Sequence, residues 1–195
     1  MKTFVEIGTC DFDTNLPLID TGDWRGVMCE PVPKYYDSLV EKAKQVSYRY
    51  NLAIDNVAIS KYDGTLEMMV SNTNGEAQQW VRGVSHVASE GLQSSNLSSA
   101  WQNKADEVYE YGGTTTVKCL KLDTLLAKHR IDNLDYLKMD VEGHELDILE
   151  NYSWRILPTF IKLEHWHLGE DRLRELLQEK GYLVYTEARD FYAVR

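Results

Sequence analysis

The chain has 195 residues, with 21 basic and 31 acidic side chains and a formal net charge of −10 at pH 7. Its length fits one domain over residues 1–195, and 43% hydrophobic and 27% charged residues exclude a disordered, collagen-like or coiled-coil chain. The acidic balance disfavours a nucleic-acid partner, and no apolar run approaches the roughly 18 residues of a membrane span. We expect a cytoplasmic protein without a signal peptide, whose three cysteines are reduced core thiols.

Strands and helices alternate along most of the sequence. Apolar runs between turn residues predict strands at 3–8, 25–30, 52–60, 65–71, 115–122, 134–140, 159–164, 182–187 and 191–195. Periodic apolar side chains predict helices at 14–20, with Thr14 as N-cap, and at 34–50, 123–129, 145–152 and 170–180. This order predicts an α/β, doubly wound and mostly parallel sheet with an antiparallel last strand.

A polar segment at about 72–113 interrupts the alternation. It is rich in Ser, Asn, Gln and Gly, with Trp80 and Trp101 as apolar anchors. Loops of this length without structure are uncommon in compact domains, so we interpret the segment as a lid or a substrate-facing insertion. The alternative is a partly ordered excursion on the surface.

The first strand ends in a loop with one glycine, Gly8, and two aspartates, Asp11 and Asp13. A dinucleotide would require the pattern G-x-G-x-x-G, because its pyrophosphate must meet bare backbone at a helix N-terminus. The aspartates would repel a pyrophosphate but suit a ligand that carries an ammonium group and a sulfonium. S-adenosylmethionine is such a ligand.

The next two strand ends contain residues suited to an adenosine group. Glu30 follows the second strand, where an acidic side chain can accept both ribose hydroxyls. Pro31 could lie against the adenine face, while Asn56 and Val57 could supply an amide and an apolar wall at its edge. The alternatives are that Glu30 and Pro31 only begin a helix and that Asn56 is a turn residue.

Acidic residues converge at the ends of the later strands. Asp140 and Glu142 follow one strand and Glu164 ends the next, whereas Glu145 opens a helix and is interpreted as a charge favourable to its N-terminus. Lys138 lies in the strand that ends at Asp140 and is expected to be buried there. A buried lysine requires an acidic partner, which Glu164 could provide.

Two histidines extend this acidic group. His165 or His167 could act as a general base for a substrate hydroxyl. Together with Asp140, Glu142 and Glu164, His167 could also ligate a divalent metal, but the spacing matches no specific metal motif and we do not assign a metal site.

The sequence resembles the FkbM-type S-adenosylmethionine-dependent methyltransferases over nearly its whole length. The resemblance is carried by residues 4–8 (FVEIG), 29–33 (CEPVP), 56–60 (NVAIS), 122–126 (LDTLL), 161–164 (IKLE) and, most specifically, 135–145 (DYLKMDVEGHE). It implies a class I, Rossmann-like methyltransferase fold and O-methylation of a sugar or natural-product hydroxyl. The partner would be a small-molecule or glycan acceptor.

The resemblance also implies roles for individual residues. Carried over by position, Glu6, Gly8, Glu30 and Asn56 would face S-adenosyl-L-methionine. Together with the residues chosen from the strand ends, the set expected to bind the cofactor is Glu6, Gly8, Thr9, Asp11, Asp13, Glu30, Pro31, Asn56 and Val57. Those expected near the methyl group or the acceptor, as catalytic residues, are Asp140, Glu142, Glu164 and His167.

The sequence departs from the family pattern in two ways. The first loop usually reads like Gly-x-Asn-x-Gly, but Cys10 and Phe12 occupy its last two positions here. The chain begins directly at the first strand, without the helix that often precedes it, so we expect an open site or one covered by a partner chain. The exposed end of the sheet is compatible with a homodimer, and a non-catalytic binding module is the alternative to an enzyme.

Overall fold

The computed structural model describes residues 1–10, 14–71, 86–87, 112–165 and 170–195. The strands are β1 Lys2–Ile7, β2 Trp24–Cys29, β3 Leu52–Asp55, β4 Ala58–Ile59, β5 Gly64–Ser71, β6 His86–Val87, β7 Gly112–Leu120, β8 Tyr136–Met139, β9 Phe160–Glu164, β10 Leu183–Glu187 and β11 Asp190–Val194. The helices are α1 Leu16–Asp20, α2 Pro33–Ala43, α3 Leu122–Lys128, α4 Glu145–Glu150 and α5 Glu170–Glu179, with a 3₁₀ turn at Arg49–Asn51.

Seven strands form the main sheet in the order β3-β2-β1-β8-β9-β11-β10. The pairs from β3 to β9 are parallel, whereas β11 runs antiparallel to both β9 and β10. The predicted mostly parallel sheet with an antiparallel last strand is therefore confirmed. The strand order reverses between β1 and β8, where Ile7 pairs with Met139. Ligands of open α/β sheets bind at such a reversal, beyond the carboxyl ends of the strands.

Helices pack on both faces of the main sheet. Because successive strand residues face opposite sides, Phe4 and Met28 form a core with Ile19 of α1 and Leu39 of α2. On the other face, the strands pack against apolar side chains of α3, α4 and α5, among them Leu125, Ile148, Leu149, Leu173 and Leu177. This double covering is the doubly wound, Rossmann-like arrangement that the alternation of elements predicts.

Four strands form a smaller sheet in the order β4-β7-β5-β6. Its centre is the antiparallel pair β5–β7, which joins Gly64 to Cys119 at one end and Ser71 to Gly112 at the other. The strand pair predicted at 65–71 and 115–122 is thus confirmed. The lid predicted between these strands lies almost entirely outside the described residues.

The single strand predicted at 52–60 is wrong, because the chain changes sheets within it. β3 pairs with β2 in the main sheet, whereas β4 pairs with β7 in the small one. Between them, the side-chain amide of Asn56 donates to the backbone oxygens of Glu30 and Pro31, at 2.8 and 3.0 Å. These bonds anchor the chain where it leaves the main sheet. An apolar run in the sequence contains no signal that a strand will stop at this point and continue in another sheet.

Two helix boundaries also differ from the prediction. The helix predicted at 34–50 ends at Ala43, although Val46 beyond it is still buried in the core of α1 and α2. Ser47, the next residue, lies outside any helix, and its backbone N–H donates to Oδ1 of Asp20 in α1 at 2.8 Å. The N-cap of α1 is Asn15, without a side-chain capping bond, so the prediction of Thr14 is wrong.

Two simpler expectations can be compared with the structure directly. Cys10, Cys29 and Cys119 are all buried and free of disulfides, as predicted. Among the described residues, no helix is long and apolar enough to cross a membrane.

Candidate functional site

Gly8 allows the ends of β1 and β8 to meet closely. Its φ of +76° lies in the left-handed region, and a Cβ at this position would lie 1.8 Å from the backbone oxygen of Asp140. The N–H of Asp140 donates to the oxygen of Ile7 at 3.0 Å, which continues the strand pairing to the edge of the sheet. A side chain at residue 8 would therefore separate the two strand ends that form the site.

Glu30 is held in place by backbone donors. Its side chain is buried; Oε2 accepts the N–H of Cys10 at 2.6 Å, and Oε1 accepts the N–H of Val32 at 2.8 Å. The contacts also tie the loop after β1 to the turn after β2.

A cleft with about 560 Å³ of empty space, partly open to solvent, lies at this edge of the sheet. Six of the predicted site residues line it, namely Gly8, Glu30, Pro31, Val57, Asp140 and Glu142. The structure therefore brings three residues predicted for an adenosine group, Glu30, Pro31 and Val57, into one cavity with Asp140 and Glu142, which were predicted for the reaction.

Other residues predicted to bind the cofactor lie elsewhere. Glu6 is fully buried, with Oε1 accepting from Lys138 Nζ at 3.0 Å and Oε2 from the N–H of Asn15 at 2.9 Å. Lys138 thus has the acidic partner that its burial requires. Thr9 is buried, and its Oγ1 has no hydrogen-bond partner within the described part of the chain. Asn56 is exposed and binds the turn after β2, while Asp11 and Asp13 lie outside the described residues.

Three carboxylates converge beside the cleft. One oxygen from each of Asp140, Glu142 and Glu164 can be chosen so that all three lie within 4.8 Å of one another. Burial raises the pKa of Asp140 well above its ordinary value, and the charges of Glu142 and Glu164 raise it further. The convergence expected for these three residues is therefore observed, whereas His167 lies outside the described residues.

Glu145 holds the turn that bears Asp140 and Glu142. Its fully buried carboxylate accepts the N–H groups of Val141 at 2.9 Å and Gly143 at 3.0 Å. This turn has positive φ at two residues, +55° at Glu142 and +99° at Gly143. Glu145 therefore has a structural function, as its position at the start of α4 indicates.

The same three carboxylates offer the hard oxygen atoms that Mg²⁺ or Mn²⁺ prefers. Three oxygens would provide half of an octahedral shell and leave the rest to water or substrate. The cluster of negative charges also attracts a neighbouring cationic group of a ligand. The same charges raise the pKa of Asp140.

Eight residues that line the cleft were not among the predicted site residues: Ile7, Cys10, Tyr35, Ala58, Ile59, Met68, Val141 and His144. Tyr35 follows the apolar period of α2, which indicates only burial. Met68 lies in the small sheet, and no sequence signal places that sheet against the cleft. His144 stands inside the acidic motif, between Gly143 and Glu145, which is the one signal that could have identified it.

The sheet order defines a Rossmann-like α/β domain with a cleft at the reversal point, where folds of this class bind their ligands. The family described as methyltransferase FkbM domain matches residues 6–184, and the chain belongs to that family of methyltransferases. The resemblance seen in the sequence is therefore confirmed, together with the general activity of methyl transfer.

Several solved methyltransferase-related structures are similar to the chain at low identity. A precorrin-6y C5,15-methyltransferase from Geobacter metallireducens is 13% identical, with 98% of this chain and 76% of that chain covered and a TM-score of 0.48. A fibrillarin pre-rRNA processing protein from Methanococcus jannaschii is 11% identical, with 98% and 64% covered and a TM-score of 0.46. A fibrillarin/Nop5p complex gives 10% identity, 100% and 72% coverage and a TM-score of 0.46. None of the curated proteins matches this chain.

Proposed function

We propose that the protein transfers a methyl group from S-adenosylmethionine to a hydroxyl group of a sugar or natural-product acceptor. The observation that carries this proposal is that one cleft, at the strand-order reversal, contains both Glu30 and the acidic turn of Asp140 and Glu142. Family membership supports methyl transfer, and the chemistry of these side chains supports a hydroxyl acceptor.

The residues of the cleft fit the methyl donor. When bound, S-adenosylmethionine supplies an electrophilic methyl group on a sulfonium centre. Glu30, whose carboxylate lies in the cleft at the end of β2, would accept the ribose hydroxyls. The bare backbone of Gly8 allows close approach, and Val57 contributes to an apolar wall beside Pro31. We assign no direct contact to Glu6, because Lys138 and Asn15 use its buried carboxylate.

The acidic turn would serve the acceptor. A base that removes the hydroxyl proton works best with a pKa near the operating pH. Burial and the neighbouring carboxylates raise the pKa of Asp140 in that direction, so Asp140 is the proposed base. His167 remains the alternative base, and Glu164 would hold the acceptor beside Asp140.

Calorimetric titration with S-adenosylhomocysteine tests the donor site. We expect micromolar binding to the wild-type protein and at least tenfold weaker binding to Glu30→Gln, because a neutral amide accepts hydroxyls less strongly than a carboxylate. Glu41→Gln is the matched control, since this acid lies on the exposed side of α2 and should leave binding unchanged. Absence of binding at millimolar ligand, with the fold intact by circular dichroism, would refute the proposal.

A further inference from the structure

His144 connects two segments of the chain that line the cleft, residues 57–59 and residues 140–142. Its side chain is buried, and Nε2 lies 3.2 Å from Oγ of Ser60, which is buried as well. Ser60 directly follows β4, whereas His144 directly follows the acidic turn and precedes α4. The two residues are 84 positions apart in the sequence, so their contact joins separate parts of the chain.

A second contact lies one turn further along α4. Nδ1 of His144 is 3.5 Å from Oδ2 of Asp147, and the same oxygen is 3.7 Å from Nζ of Lys61. In the neutral tautomer whose Nδ1–H faces the Asp147 carboxylate, Nε2 of His144 accepts a hydrogen bond from the Ser60 hydroxyl. Residues 60 and 61 after β4 are thus fastened to residues 144 and 147.

The residues just before each anchor line the cleft. Val57, Ala58 and Ile59 precede Ser60 and form the apolar wall. Asp140, Val141 and Glu142 precede His144 and form the acidic wall. A ligand that extends from the turn after β2 to the acidic carboxylates would contact both walls, whereas adenosine alone would contact mainly the first.

We propose that His144 is a positioning residue that fixes the placement of the acidic wall relative to the apolar wall. This inference rests on the proposed function, because it takes the methyl donor as the ligand that spans both walls. Glu145 secures the turn within its own segment, through the N–H groups of Val141 and Gly143. His144 instead connects that segment to β4, so its loss should shift the turn without unfolding it.

The test compares ligands that contact one wall with ligands that contact two. We expect Ser60→Ala and His144→Phe each to raise the Kd of S-adenosylmethionine about tenfold and to change the Kd of adenosine less than about twofold. The double variant should bind no more weakly than either single variant, because both remove the same contact. His144→Gln should restore most of the affinity, since its amide can reach Ser60 from the same backbone position.

Three results would overturn the inference: equal weakening of adenosine and S-adenosylmethionine, fully additive single effects, or no effect on the methyl donor. If the wild-type protein binds neither ligand, the proposed function fails, and hydrogen exchange of the free protein decides the inference by itself. Ser60→Ala and His144→Phe should then accelerate exchange at Val141 and Gly143 while leaving β1 unchanged. Unchanged exchange at Val141 and Gly143 would refute the positioning role.

Discussion

Single residues decide how closely the strand ends of the site approach each other. Gly8→Ala would combine a positive φ with a Cβ placed 1.8 Å from a backbone oxygen, so we expect a loss of roughly 3 kcal/mol or more in the free energy of unfolding. Gly181→Ala is the matched control, because residue 181 also has a positive φ, of +88°, but has no atom within 4 Å of the added Cβ. That variant should lose only about 1–2 kcal/mol, the cost of the backbone conformation.

Urea unfolding of both variants measures the difference. Equal losses for Gly8→Ala and Gly181→Ala would contradict the tight contact between the ends of β1 and β8, since only the strain of positive φ would then matter. A larger loss at Gly8 would assign the excess to that contact.

Asp140 is expected to destabilise the fold at neutral pH while serving the reaction. Its pKa is raised by burial and by neighbouring carboxylates, so the folded state binds the proton more tightly than the unfolded chain. The stability contributed by this group is therefore present below the usual Asp pKa of about 3.9 and lost as the pH rises through the higher folded value. Asp140→Asn should raise the Tm at pH 7, with a difference that disappears in acid, and should lose turnover more than affinity for S-adenosylhomocysteine.

Thermal unfolding between pH 3 and pH 8 checks this sign, with the exposed Asp132→Asn as control. A lower Tm of Asp140→Asn at pH 7 would show that the carboxylate is net stabilising. Full turnover of this variant with a hydroxyl-bearing acceptor would remove Asp140 as the base.

At the scale of elements, Asp55 fastens the end of β3 to the end of α3. Its Oδ2 lies 2.8 Å from Nε2 of His129 and 2.7 Å from Nζ of Lys128. Burial alone would raise the pKa of Asp55, but the hydrogen bonds from His129 and Lys128 outweigh burial and lower it. This group therefore stabilises the fold above the usual Asp pKa, and its contribution is lost as the pH falls through the lowered value.

Asp55→Asn should lower the Tm at pH 7 by about 2–4 °C, the shift that about 1 kcal/mol produces in a chain of this size. The difference from the wild-type protein should vanish in strong acid, where the carboxylate is protonated in both states. A Tm difference that is independent of pH would show that the charge of Asp55 does not stabilise the contact between β3 and α3, and that the packing of its side chain does.

Elements were predictable from the sequence where the local pattern determines the structure. The strands before Gly8 and Asp140 are short apolar runs closed by turn residues, and both form as predicted. The helix predicted at 34–50 is too long, because the prediction counted Val46 as part of the helical apolar pattern. Val46 is buried in the core but lies beyond the end of α2, so its apolar side chain indicates burial and not helix. The split between β3 and β4 depends on the contact of Asn56 with the distant turn after β2, which no local pattern contains.

At the scale of the whole molecule, parallel topology made much of the site predictable. Strand ends of a parallel sheet meet at one edge, so Glu30 and Asp140 could be placed in one cleft from the order of elements alone. Glu6 could not be placed, because an acid near a strand end can face either the cleft or a buried partner such as Lys138. The role of His144 depends on Ser60, which follows β4, and no sequence pattern indicated that β4 leaves the main sheet to pair with β7.

The small sheet should be less stable than the main sheet and should respond to ligand. Among the described residues, its core contains Ala58, Leu66, Met68, Val117 and Cys119, a cluster separate from the larger core under the main sheet. A small apolar cluster stabilises its strands less, so we expect amides of β5 and β7 to exchange faster than those of β1 and β8.

Since Met68 of β5 lines the cleft, S-adenosylhomocysteine should slow exchange in β5 and β7 more than in the edge hairpin of β10 and β11. Hydrogen exchange read by mass spectrometry, with and without the ligand, measures both effects. Equal protection across the two sheets in the free protein would mean that they unfold as one unit. Protection by ligand that is confined to β1 and β8 would mean that β5 takes no part in binding, and the cleft would then have its functional walls in the main sheet and β4.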